Sequence, residues 1–116
     1  MGVEQHPWIG VDLDGTLAFY DHWVDETSIG APIPKMVERV KRWIADGVDV
    51  RIVTARIHPD WPHLTLRRTV IESWCAAHLG KVLPITHEKD YNMVELWDDR
   101  CVQVIPNTGE RVDGKP

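Results

Sequence analysis

Trp8-Ile9-Gly10-Val11 runs straight into Asp12-Leu13-Asp14-Gly15-Thr16-Leu17. A short apolar run that stops at an acidic residue reads as a buried strand, Trp8 to Val11. The two carboxylates that follow are one residue apart, so a sharp turn brings both to one point beyond the strand. Gly15 permits that turn at little steric cost. Asp12 is expected to be ionised at neutral pH, since an ordinary aspartate has a pKa of about 3.9. Such a carboxylate can attack phosphorus to form an acyl phosphate, splitting one difficult displacement into two easier steps. Asp14 is then placed to protonate the leaving alcohol and to deprotonate the attacking water.

Outward from this turn, strands and helices alternate. Leu17 to Ile33 is mixed and polar, broken by Gly30 and Pro32, and reads as a loop or hairpin. From Pro34 the apolar residues Met36, Val37, Val40, Trp43 and Ile44 recur at helical spacing, and Gly47 suits the position past the helix end. Val48 to Thr54 is β-branched and predicts a second strand. Ile57 to His63 carries two prolines and reads as a loop. Leu64 to Leu79 predicts a helix with Val70, Ile71, Trp74 and Cys75 on one face and Gly80 as its stop. Val82 to Thr86, Met93 to Trp97 and Cys101 to Ile105 predict third, fourth and fifth strands. Pro106, Asn107 and Gly109 predict a turn, and residues 107–116 a partly frayed tail.

Alternation of this kind implies right-handed crossovers and an α/β fold: a parallel sheet of about five strands flanked by helices in three layers. In such sheets ligands bind beyond the carboxyl ends of the strands. Asp12, Thr54 and the pair Asp98 and Asp99 each stand where a predicted strand stops, so polar groups from three strands converge on one edge.

The chain has 116 residues, room for one compact domain spanning 1–116. Its net charge of -5 argues against a broad nucleic-acid surface, which is normally basic. No apolar run is long enough for a membrane span or a signal-peptide core. Cys75 and Cys101 lie in dissimilar contexts and read as reduced packing residues of a cytoplasmic protein. A zinc site on Cys75 and His78 lacks two further well-spaced ligands. Six tryptophans stand against two tyrosines and one phenylalanine, which makes their placement informative. Trp8, Trp43 and Trp74 fall in predicted core positions. Trp23 and Trp61 fall in polar loops bordering the site, where they either stack on a ring or pack beneath their own loops.

The Asp12-Leu13-Asp14-Gly15-Thr16-Leu17 segment resembles the first motif of the haloacid dehalogenase-like (HAD) phosphatase superfamily. That family's second motif, a Ser or Thr ending the next strand, is matched by Thr54. The third, a basic residue, is matched by Lys89, and the fourth, an acidic pair after an apolar strand, by Asp98 and Asp99. The four occur in order and cover most of the chain. The resemblance implies a Mg²⁺-dependent phosphomonoester hydrolase with a Rossmann-like fold and Asp12 as nucleophile. Thr54 and the Ala55 N–H would bind phosphate oxygens, and Lys89 would neutralise the phosphate. Asp12, the Asp14 carbonyl and Asp98 or Asp99 would hold Mg²⁺, which prefers oxygen ligands. Arg56 is open to two roles: contact with the substrate, or pairing with a surface acid. Arg67 and Arg68 read as a solvated helix face, and no histidine is given a catalytic role.

Neither of the family's cap insertion points, after the first motif or before the lysine motif, has room here for a folded cap. The resemblance therefore implies a capless member, acting on a nucleotide-like or other phosphorylated substrate or on a 3′ polynucleotide end. A homo-oligomer partner is one way to cover such a site. A non-catalytic phosphate-binding scaffold is the alternative. A phosphate-accepting receiver module places its acidic pair before the acceptor aspartate, the reverse of the order seen here.

Overall fold

The computed structural model describes residues 6–116. Strand β1 (Trp8–Asp12) is followed by α1 (Pro34–Ala45), β2 (Val50–Val53), α2 (Leu64–Leu79), β3 (Ile85–Thr86) and β4 (Met93–Trp97). The four strands form a parallel sheet in the order β3-β2-β1-β4. This is an α/β fold, with β1 at the centre of the sheet.

The helices begin and end for local reasons. Pro34 opens α1, where its missing N–H costs nothing, and Gly47 follows its end at a φ of 77°. Gly80 closes α2 at a φ of 75°. Met36 and Val40 from α1, and Ile71, Trp74, Cys75 and Leu79 from α2, join Val11, Val50 and Ile52 in one core. Because β2 lies beside β1 and β3 beyond β2, right-handed crossovers put both helices on the same face of the sheet. The return from β3 to β4 uses only residues 87–92, too few for a covering helix. The expected third layer is therefore missing among the described residues. On the other face, a Cβ added to Gly10 would lie 2.9 Å from Val53, 3.1 Å from Met93 and 3.2 Å from Leu96. The Val53, Met93 and Leu96 side chains pack there.

The sheet has four strands, not the expected five. A parallel neighbour for β4 needs a crossover of a dozen or more residues. Only residues 98–100 separate Trp97 from Cys101. Cys101 to Ile105 instead turns back on itself outside the sheet. The Ile105 N–H donates to the Glu110 carbonyl at 2.7 Å, the Val112 N–H to Gln103 at 2.9 Å, and Asn107 takes a φ of 65°. Residues 103–112 thus close a small exposed hairpin rather than fraying. Cys101 is exposed, against the expectation that it packs, while Cys75 is buried and both are free thiols. Burial pushes the Cys75 thiol pKa up. No helix among the described residues is long and apolar enough to cross a membrane.

Ile71 has no exposed surface, and it touches the layer between α2 and the sheet. Ile71→Ala is expected to cost about 2–4 kcal/mol by lost burial plus cavity. Urea denaturation would check this, and a loss below about 1 kcal/mol would mean the core collapses to fill the gap.

Candidate active site

Strand register brings the polar residues together. Asp12 pairs with Val53, Val11 with Trp97, and Val53 with Thr86. The residues one step beyond the strand ends are therefore Leu13, Thr54, His87 and Asp98. After β1 the chain turns within a few residues: the Leu17 and Ala18 N–H groups both donate to the Leu13 carbonyl, at 3.0 and 2.8 Å. Gly15 sits at a φ of 91°, and a Cβ there would lie 2.5 Å from an Asp99 carboxylate oxygen. Only glycine fits so close to that carboxylate. Gly15→Ala is expected to cost about 1–3 kcal/mol in thermal unfolding, from backbone strain and displacement of Asp99.

Thr16 ties this turn to the acidic pair. Its hydroxyl accepts from the Asp99 N–H at 3.0 Å and lies 3.3 Å from the Asp99 carboxylate as donor. Asp12, Asp98 and Asp99 each bring a carboxylate oxygen to within 4.8 Å of the others. The Asp12 pKa is pushed up to about 8, first by burial and then by the charges of Asp98, Asp99 and Asp14 and a hydrogen bond with Asp99. Without a bound cation Asp12 is therefore mostly protonated at neutral pH, against the expectation that it is ionised there.

Asp14 is matched by a cation of its own. Arg56 donates from Nε to one carboxylate oxygen at 2.7 Å and from Nη2 to the other at 2.9 Å. Nη2 also donates to the Ser28 carbonyl at 2.8 Å. The third nitrogen, Nη1, is buried with no acceptor among the described residues. Arg56 itself is only 6% exposed. Of its two expected roles, pairing with an acid is the one seen, though the acid is Asp14 rather than a surface residue.

Thr54 is buried, and its hydroxyl accepts from the Arg56 N–H at 3.1 Å, which caps the single 3₁₀ turn Ala55–Ile57. Its hydroxyl proton remains available. A cleft of about 630 Å³ opens here, lined by Asp12, Asp14, Asp98, Thr54, Ala55 and Arg56 among others. Lys89 is exposed and does not line the cleft; His87, two residues earlier, does. Asp99 meets the other acids but is not part of the cleft wall.

Several lining residues escaped the sequence reading. Arg67, expected on a solvated face, is 8% exposed and donates to the Pro62 carbonyl at 3.0 Å and the Arg56 carbonyl at 3.3 Å. Its spacing from Ile71 and Trp74 places it on the apolar face of α2, a signal that was present. Arg68 is exposed, as expected. His58 and His87 line the cleft with ring centroids 5.6 Å apart. Arg100 also lines it, with no ion pair to its guanidinium among the described residues. Trp8 and Trp74 are buried and Trp43 half-buried against Trp97 at 5.3 Å, whereas Trp23 and Trp61 line the cleft.

Residues 18–33 form a flap instead of a folded insertion. Ala18 bridges Pro32, the Phe19 N–H donates to the Ala31 carbonyl at 2.8 Å, and the Trp74 indole donates to the Gly30 carbonyl at 3.0 Å.

The chain matches no protein-family model and no curated protein. Among solved structures it is similar to one described as that of a conserved protein from Bacteroides thetaiotaomicron. The two share 22% identity with a TM-score of 0.57, over 96% of this chain and 82% of that one. At this level the likeness speaks to the fold alone.

Proposed function

We propose that the protein is a small capless phosphatase of the HAD type, a Mg²⁺-dependent phosphomonoester hydrolase working through an aspartyl phosphate on Asp12. One observation carries the reading: Asp12, Asp98 and Asp99 crowd their carboxylates within 4.8 Å beside an Asp14 locked to a buried arginine. The donor set is oxygen only, which fits a hard divalent cation held by Asp12, Asp98 and Asp99. Such a cation, when bound, would offset the acid charge and polarise the phosphoryl group.

In the proposed sequence, a carboxylate oxygen of Asp12 forms a bond to phosphorus as the bond to the leaving oxygen breaks. Water then attacks the acyl phosphate and frees Asp12. Asp14, both of whose oxygens accept from Arg56, is the group assigned to take a proton from that water. Donation to the leaving oxygen requires one of these hydrogen bonds to open. Asp14→Asn is therefore expected to slow alkyl phosphates at least about tenfold more than p-nitrophenyl phosphate, whose leaving group needs no proton. Equal loss on both would remove the acid role.

Thr54 and the Ala55 N–H are suited to the phosphate oxygens. Lys89, whose side chain has no partner among the described residues, is the cation that the resemblance assigns to the phosphoryl group. Lys89→Ala is expected to lower kcat/KM about a hundredfold or more. A wild-type rate in that variant would move the role to Arg100. The reading as a whole is tested by phosphate release from p-nitrophenyl phosphate, expected with Mg²⁺ and lost on chelation. No release from this ester or from a panel of phosphorylated metabolites, with Mg²⁺ present, would leave the scaffold alternative.

A further inference from the structure

Of the six tryptophans, four are buried or half-buried, while Trp23 and Trp61 leave 46% and 51% of their surface exposed. Both line the cleft, together with the rings of Tyr20, His58 and His87. Tryptophan is enriched at surfaces that meet a partner.

Trp23 does not hang free on its flap. The Arg56 guanidinium lies 5.0 Å from its ring centroid and the Arg67 guanidinium 5.3 Å. Both arginines are themselves more than nine-tenths buried and hydrogen-bonded to backbone carbonyls. The Glu26 carboxylate of the flap reaches His63 at 2.9 Å and Arg67 at 3.8 Å. The two guanidinium contacts favour this placement of the ring before a ligand arrives, which lowers the entropic cost of binding. Trp61 is held more loosely, by an edge contact with His58 at 6.4 Å.

The cleft volume of about 630 Å³ falls within the range of roughly 300–1,000 Å³ that holds ligands of several rings.

We infer that the cleft takes a phosphate ester carrying a nucleobase, and that Trp23 and Trp61 select it by stacking. This rests on the phosphatase reading, which supplies the phosphate end. Stacking on an aromatic side chain is worth about ten- to a hundredfold in affinity per base and tolerates any base. An aliphatic phosphate gains none of it. A free nucleotide and the terminal nucleotide of a polynucleotide share this chemistry.

The test compares kcat/KM on nucleoside 3′- and 5′-monophosphates, a 3′-phosphorylated oligonucleotide and 2-glycerophosphate. Nucleotides are expected to exceed 2-glycerophosphate by tenfold or more, with Trp23→Leu and Trp61→Leu each narrowing that ratio at least fivefold. A higher rate on the mononucleotides or on the oligonucleotide identifies the source, and either supports the inference. Equal rates on nucleotide and 2-glycerophosphate, unaltered by either variant, would overturn it and leave the phosphatase reading intact. Adenosine binding supplies a readout independent of catalysis and of variant folding. Two indole N–H signals of the wild-type protein, assigned to Trp23 and Trp61, are expected to shift on its addition. Absence of phosphate release together with those shifts would sink the phosphatase reading alone. Unmoved indole signals would overturn the inference.

Discussion

Asp12→Asn is expected to lower phosphate release at least about a thousandfold, because an amide cannot form the acyl phosphate on which the proposed reaction depends. The same substitution is expected to stabilise the metal-free protein at pH 7–8. Asp12 has a folded-state pKa near 8 against an ordinary 3.8, raised first by burial and then by its acidic neighbours. The sign follows from proton linkage. Below pH 3.8 the carboxyl is protonated in both states and costs nothing. Between 3.8 and 8 the unfolded chain releases the proton while the folded protein keeps it, so stability falls as pH rises through that window. Asparagine carries no such titration. Asp12 is only partly buried, so solvent screening reduces the gain to about 1–2 kcal/mol, or several degrees in Tm for a domain of this size. Thermal unfolding of both proteins in chelator, from pH 4 to pH 8.5, checks this. Curves that run parallel across that range would mean Asp12 is not crowded as described. Added Mg²⁺ is expected to raise the wild-type Tm more than that of the variant, by relieving the same repulsion.

Arg56→Ala carries the second large effect. It leaves Asp14, 19% exposed, without the guanidinium that binds both its oxygens. Breaking a buried ion pair by removing one partner costs about 3–5 kcal/mol, and partial exposure of Asp14 places this case near the lower end. The variant also frees the Ser28 carbonyl and removes one of the two cations beneath Trp23, so the flap loses its tie to the strand end. The expected outcome is a loss of about 3 kcal/mol in urea denaturation with faster proteolysis within residues 19–30. Arg56→Lys keeps the charge but lacks the planar fork that meets both carboxylate oxygens. It is expected to recover part of the stability and little of the activity. If Arg56→Ala stays within about 0.5 kcal/mol of the wild type, the pair does not organise this edge of the sheet.

Much of this site was legible locally. An apolar run ending at Asp12, a β-branched run ending before Thr54, and an apolar run ending at Asp98 each announce a strand and its polar tip. The parallel register then does the rest, since Asp12 opposite Val53 and Val11 opposite Trp97 leave those tips side by side. The fifth strand failed for a reason that spacing contained. Three residues cannot carry a chain across to start a parallel neighbour, however β-prone Cys101 to Ile105 looks. Arg67 failed because a charged residue at an apolar helix position was read by its charge and not by its phase.

Pattern and propensity in the chain were enough for the α/β class and for the placement of Asp12, Thr54 and Asp98 at strand ends. These follow from hydrophobic periodicity and from turn chemistry within a few residues. Folding was needed to pair Asp14 with Arg56 across 42 residues and Thr16 with Asp99 across 83, and to set Trp23 over two buried guanidinium groups. Local periodicity does not encode such partners. They depend on which strand ends lie adjacent and on which charges are too buried to remain unpaired.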